Sequence, residues 1–184
     1  MPIKKMDLYI LFIIVLIHLF HNVFSIDIIL DNSYSFINLP EKVYSLSQLS
    51  SNDAIRIKLE LDYYIILPSG QNNFNIMGDV IFYSEKGAII DLLRSFKSKL
   101  TFYIKSHIAQ KLVFRNITFI NYYEENPKLS ALYFEFLGED NEYQVEFDNC
   151  SFLDIYGSVI TISHYISKKE LSNPTFIFNN CKFK

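Results

Sequence analysis

A six-residue phrase returns three times in the second half of this chain: Phe114-Arg115-Asn116-Ile117-Thr118-Phe119, then Phe147-Asp148-Asn149-Cys150-Ser151-Phe152, then Phe178-Asn179-Asn180-Cys181-Lys182-Phe183. Its asparagines stand 33 residues apart and then 31 (116 to 149, 149 to 180). A phrase returning at that interval marks a stacked architecture in which each repeat buries its apolar face on its neighbour.

The residues between the phrases carry a two-residue period. Ile55, Ile57, Leu59 and Leu61 alternate with Arg56, Lys58 and Glu60, which is a half-buried strand with one charged face. Comparable bursts occupy residues 64–67, 74–77, 80–83, 88–92, 100–105, 112–114, 117–120, 132–136, 143–147, 159–163 and 175–178. The separators at 68–73, 85–87, 124–127, 138–142 and 168–174 are polar or turn-forming. Strands of even length with loops of uneven length predict an all-β fold, a parallel β-helix or solenoid. Only residues 46–51 hint at a helix, a short one covering the first open coil. A weaker echo relates 82–90 to 152–160.

In such a solenoid equivalent positions of successive coils stack at about 4.8 Å. An asparagine at a tight turn tolerates strained backbone angles and passes hydrogen bonds to its copies above and below. Asn116, Asn149 and Asn180 are therefore expected to form one internal ladder. Phe114, Phe147 and Phe178 form one flanking aromatic stack, and Phe119, Phe152 and Phe183 a second. Ile117, Cys150 and Cys181, the residues after each asparagine, point inward. Asn116-Ile-Thr118 and Asn149-Cys-Ser151 also satisfy the N-glycosylation pattern. Inward asparagines would leave both unmodified, and the third copy has Lys182 where the pattern needs Ser or Thr. Stacked parallel strands hold Cys150 and Cys181 near the strand spacing rather than the ~3.8 Å between Cβ atoms of a disulfide, so free, buried thiols are expected.

The N-terminus has Lys4 and Lys5, an apolar run of 13 residues (8–20) and a Val-x-Ser ending at Ser25. This is the pattern of a secretory signal peptide over 1–25, shorter than the roughly 17 to 25 apolar residues of a membrane-spanning helix. A membrane is expected only through an uncleaved leader. A cap region would follow over 26–54 and the coils over 55–184. Hydrophobic content of 50%, with 17 Phe and 13 Tyr, supplies a core that disorder would lack. A net charge of −3 without a basic run gives no footprint for nucleic acid.

No catalytic constellation emerges. Arg56-Ile57-Lys58 matches a tripeptide of polygalacturonases, but that family's other motifs are absent. Glu124-Glu125 and Glu139-Asp140 are acidic pairs in loops, and Asp148 and Asp154 are isolated among apolar neighbours. His107 and His164 have no second ligand at metal spacing. Neither metal nor cofactor is expected.

The Phe-x-Asn-Cys-x-Phe phrases, with Gly157-Ser-Val-Ile160 after one of them, resemble right-handed parallel β-helix repeats of the polymorphic outer-membrane-protein type, over about 55–184. A secretory leader before Ile-, Asn-, Phe- and Tyr-rich coils is also similar to the N-terminal part of the β-helical scaffoldins of anaerobic gut fungi. These resemblances imply a secreted or surface-attached, non-catalytic scaffold or adhesion protein whose partners are polysaccharides or extracellular proteins. The alternative they imply is a polysaccharide lyase or hydrolase of the pectate-lyase-like fold. Tyr63, Tyr64, Tyr122, Tyr123 and Tyr165 are the candidate surface contacts. The last phrase stops one residue before Lys184, so the reading frame is expected to continue or a partner to cover the end.

Overall fold

The two-residue alternation becomes strands wherever the chain is described. A computed structural model describes residues 25–32, 36–49, 53–68, 72–105, 110–126, 129–137, 143–164 and 176–184. The expected leader lies outside these, except Ser25, as do His107, Glu139, Asp140 and Tyr165. The described strands pair in parallel throughout and stack as a β-solenoid of about four turns.

Each full turn uses three segments. The first comes from β1 (Ser25–Leu30), β2 (Ala54–Leu59), the opening halves of β5 (Val80–Asp91) and β7 (Lys111–Tyr123), β9 (Gln144–Asp148) and β12 (Phe176–Asn179). The second comes from β3 (Tyr63–Ile65), the closing halves of β5 and β7, β10 (Ser151–Tyr156) and β13 (Lys182–Phe183). The third is a separate four-stranded sheet of β4 (Asn73–Ile76), β6 (Leu100–Ile104), β8 (Ser130–Phe136) and β11 (Ser158–His164). In β7 both Phe114 and Phe119 are buried although an odd number of positions separates them. A flat strand cannot do this, because its side chains alternate faces. Asn116 between them turns the chain with φ 58°, resetting which side faces inward.

Among the described residues one α-helix, α1 (Leu39–Leu49), precedes the first full turn. Pro40 suits the first turn, where a missing N–H costs nothing, and the carbonyl of Asn38 accepts from the Lys42 N–H at 3.1 Å. Leu39, Val43 and Ser47 form its buried stripe. It packs on β4, the edge of the third sheet, and touches β2. The helix is thus longer than expected and starts earlier, because the stripe from Leu39 extends the pattern. β1 pairs along its whole length with β2, so the stacked sheet already begins before residue 55, in the region expected to be a cap.

In-register pairing converts the repeated phenylalanines into columns. Phe82, Phe114, Phe147 and Phe178 stack at 5.2, 4.9 and 5.1 Å between ring centroids, nearly coplanar. Phe119, Phe152 and Phe183 stack at 5.3 and 4.9 Å. A third column that the repeated phrase does not reveal, Phe74, Phe102 and Phe134, stacks at 5.1 Å in both steps. Edge-to-face contacts join the columns, such as Phe102 to Phe114 at 5.5 Å and Phe147 to Phe152 at 5.5 Å. Each such pair adds about 0.5 to 1.5 kcal/mol beyond the burial of its area.

Two expectations need correction. The echo between 82–90 and 152–160 is not structural equivalence: Phe82 aligns with Phe114 on the first segment, whereas Phe152 aligns with Phe119 on the second. The separate bursts at 80–83 and 88–92 form one strand, as do those at 112–114 and 117–120, because a one-residue or four-residue corner does not break the pairing on either side.

Replacing a fully buried member of the column should therefore cost far more than replacing a terminal one. Phe102→Ala is expected to lower unfolding free energy by about 3 to 5 kcal/mol. Phe183→Ala, at a position 53% exposed, should cost well under half as much. Urea denaturation of the two variants checks this ranking.

Candidate functional site

On three successive coils the first corner is built from a single residue. Asn116, Asn149 and Asn180 all sit in the left-handed region, with φ of 58°, 53° and 53°, which asparagine reaches at lower cost than other non-glycine residues. The Asn149 Nδ2 donates to Asn116 Oδ1 at 3.1 Å, and Asn116 Nδ2 donates to the Ser84 carbonyl at 3.0 Å. Ser84 belongs to a corner of a different design. There residues 84–87 oppose Asn116 alone, and Gly87 at φ 95° completes the turn beside the Asn116 amide. The amide chain therefore passes hydrogen bonds from coil to coil, but it is not internal. Asn149 and Asn180 are exposed and Asn116 is half-buried, because the left-handed turn sends the next residue inward instead.

That next residue is Ile117, Cys150 or Cys181. Ile117 and Cys150 are fully buried. Both cysteines are free thiols, and each donates to a carbonyl of the preceding coil: Cys150 Sγ to Phe114 O and Cys181 Sγ to Phe147 O, both 3.4 Å. Burial pushes the Cys150 thiol from an ordinary 9.0 up to about 12.

A second corner repeats the device without a recognisable phrase. Leu93, Arg94, Asn121 and Asp154 have φ between 51° and 57°. The buried carboxylate of Asp91 accepts from Tyr63 OH, from Leu93 N at 2.7 Å and from Asn121 Nδ2 at 3.1 Å, tying three successive coils together. Tyr63 is consequently occupied by this bond although its ring is exposed. The bond to Asp91 holds its hydroxyl above the usual tyrosine range.

Beside this corner runs a groove of about 370 Å³ lined by Arg94, Tyr122, Tyr123, Asp154, Ile155, Tyr156 and Lys184. Register pairs Tyr123 with Tyr156, and their rings stack at 4.8 Å and 12°. Both are exposed, at 44% and 59%. Tyr123 OH donates to Glu125 Oε1 at 3.1 Å, which raises its pKa. Tyr122 does not belong to the surface as expected. It is 1% exposed, and burial, reinforced by Glu124, pushes its hydroxyl from 10.0 up to about 12. Tyr64 is likewise buried, donating to Leu30 O at 2.5 Å. Parity explains both: Tyr122 and Tyr64 occupy inward positions, while Tyr123 and Tyr63 occupy outward ones.

The groove thus combines an apolar aromatic edge with two cations and one carboxylate. That mixture suits a ligand with C–H faces and hydroxyl or acidic groups. Glycoside hydrolysis usually needs two facing carboxylates, and among the described residues Asp154 supplies one carboxylate to this groove. Glu124 and Glu125 are engaged locally, by Asn126 N and Tyr123 OH. His164 closes β11. Among the described residues no cluster of His, Cys, Asp or Glu could hold a metal ion. Sequence reading missed Arg94, Asp154, Tyr156 and Lys184, though Tyr156 stands 33 residues beyond Tyr123, the interval of the repeated phrase. A second groove of about 380 Å³ lies between α1 and β4, lined by Asn38, Glu41, Tyr44, Asn73 and Asn75 among others.

No known protein family, curated protein or solved structure matches this chain.

Two outcomes follow from these corners. Asn116→Ala should cost about 2 kcal/mol, part because alanine lacks the short polar side chain that lets asparagine tolerate the left-handed region and part from the lost amide bonds, whereas Asn116→Gly should cost about 1 kcal/mol. Chemical denaturation distinguishes them. The raised thiol pKa means the fold favours neutral Cys150, so its contribution is complete below pH 9.0 and is lost as pH rises toward about 12. Stability measured across that window should fall less steeply for Cys150→Ala than for the parent.

Proposed function

We propose that this protein is a non-catalytic, secreted or surface-attached β-solenoid that binds polysaccharide along the groove at its second corner, as a scaffold or adhesion element. The observation that carries the reading is the exposed, stacked Tyr123–Tyr156 pair beside Arg94, Asp154 and Lys184. Tyrosines offer broad contact area at low entropic cost, and ring edges and faces complement the C–H faces of sugars. The flanking charges orient hydroxyl or carboxylate groups. Resemblance to polymorphic outer-membrane-protein-type repeats and to gut fungal scaffoldins, and the signal-peptide-like N-terminus, support an extracellular setting.

The test is binding of the purified protein to cellulose, xylan and pectin by depletion and affinity electrophoresis. Tyr123→Ala with Tyr156→Ala should weaken retention by about tenfold, equivalent to ~1.4 kcal/mol. Retention unchanged by the double variant would move the site elsewhere. Release of unsaturated or reducing ends from pectin would replace the scaffold reading with the lyase or hydrolase alternative.

A further inference from the structure

The two glycan-acceptor phrases, Asn116-Ile117-Thr118 and Asn149-Cys150-Ser151, occupy stacked rungs of the same corner, and the fold treats them differently. Asn149 is exposed, while Cys150 beside it fills the core, so the asparagine amide is the outward group of its turn. Its nitrogen carries two hydrogens. One is donated to Asn116 Oδ1 at 3.1 Å, and among the described residues the other meets no acceptor. Asn116 is held at both ends of its amide: the nitrogen donates to Ser84 O at 3.0 Å and the oxygen accepts from Asn149. It is half-buried between the Gly87 corner and Asn149.

We propose that Asn149 is an N-glycosylation site of the folded, secreted protein and that Asn116 is not, an inference that rests on the secretory reading above. In the transfer, Asn149 Nδ2 attacks the anomeric carbon of an oligosaccharide carried on a polyprenyl diphosphate. A C–N bond forms, the C–O bond to the diphosphate breaks and the diphosphate leaves with that oxygen. One amide proton passes to a base of the transferring enzyme. The second hydrogen remains on the nitrogen, so the bond to Asn116 is kept. A sugar on Asn116 would crowd the rungs on either side and compete with its bond to Ser84, so chains modified there would not complete the corner. The glycan on Asn149 stands at the first corner, whereas Tyr156 lies beyond the second corner at Asp154, and the tyrosine groove is left open.

The experiment expresses the full chain in a eukaryotic secretory host twice, once with its own N-terminus and once behind a heterologous secretory leader, followed by endoglycosidase treatment and peptide mapping. The expected result behind the heterologous leader is an endoglycosidase-sensitive mass shift located at Asn149. That shift should be lost in Asn149→Gln and Ser151→Ala and retained in Asn116→Gln. Ser151→Ala leaves the ladder amide in place, so its loss of glycan with an unchanged melting temperature separates acceptor function from folding. Secreted protein with Asn149 unmodified, or with sugar on Asn116, overturns the proposal. Failure of the chain's own N-terminus to direct export, with Asn149 modified behind the heterologous leader, overturns the secretory reading alone.

Discussion

The whole fold depends on phenylalanine rings stacking on their own copies one coil away. Parallel pairing sets the repeat along the axis at about 4.8 Å, and the rings of Phe82, Phe114, Phe147 and Phe178 follow it at 4.9 to 5.2 Å. A column of this kind ties sequence to register. Slipping one strand by a single residue would expose its ring and bury a polar neighbour. Three columns meeting edge to face fill the interior, with Phe102 touching both Phe82 and Phe114. Every other feature, including corner amides, buried thiols and exposed tyrosines, takes its position from that register.

How much of this was legible depended on whether a residue type repeated. Asn116, Asn149 and Asn180 return each with a phenylalanine two residues before and three after, so the first corner and two aromatic columns stood out. The third column was hidden because Phe74, Phe102 and Phe134 recur without a shared phrase, alternating only with Asn75, Tyr103 and Glu135. The second corner was hidden because Arg94, Asn121 and Asp154 share a backbone conformation and not a residue type. Chain direction at a corner also defeats pattern reading. A left-handed residue shifts the inward parity by one, which is why, after Asn121, Tyr122 rather than Tyr123 follows Phe119 into the core. The same shift put the asparagine amides outside while sending Cys150 into the core.

The groove gathers its residues from four successive coils, with Arg94, Tyr123, Asp154 and Lys184 contributed in turn. A solenoid makes such a site from residues that are distant in sequence yet spaced by one repeat, and the surface grows along the axis by addition of coils. An extended polymer is the ligand geometry that such a linear array matches. Asp91 gives the array a firm base, since its carboxylate joins Tyr63, Leu93 and Asn121 across three coils next to the groove.

The corner at residues 84–87 spends four residues where the facing coil spends only Asn116, yet pairing resumes in register at Ala88 with Ile117. Length can therefore vary at a corner while the faces on both sides stay unchanged. Such a position tolerates grafting: an epitope, a fluorophore-bearing peptide or a second domain introduced between Glu85 and Lys86 would project from the edge of the solenoid without disturbing the aromatic columns. Natural drift has the same freedom, so related chains would be expected to differ most in corner length and least in the residues that stack.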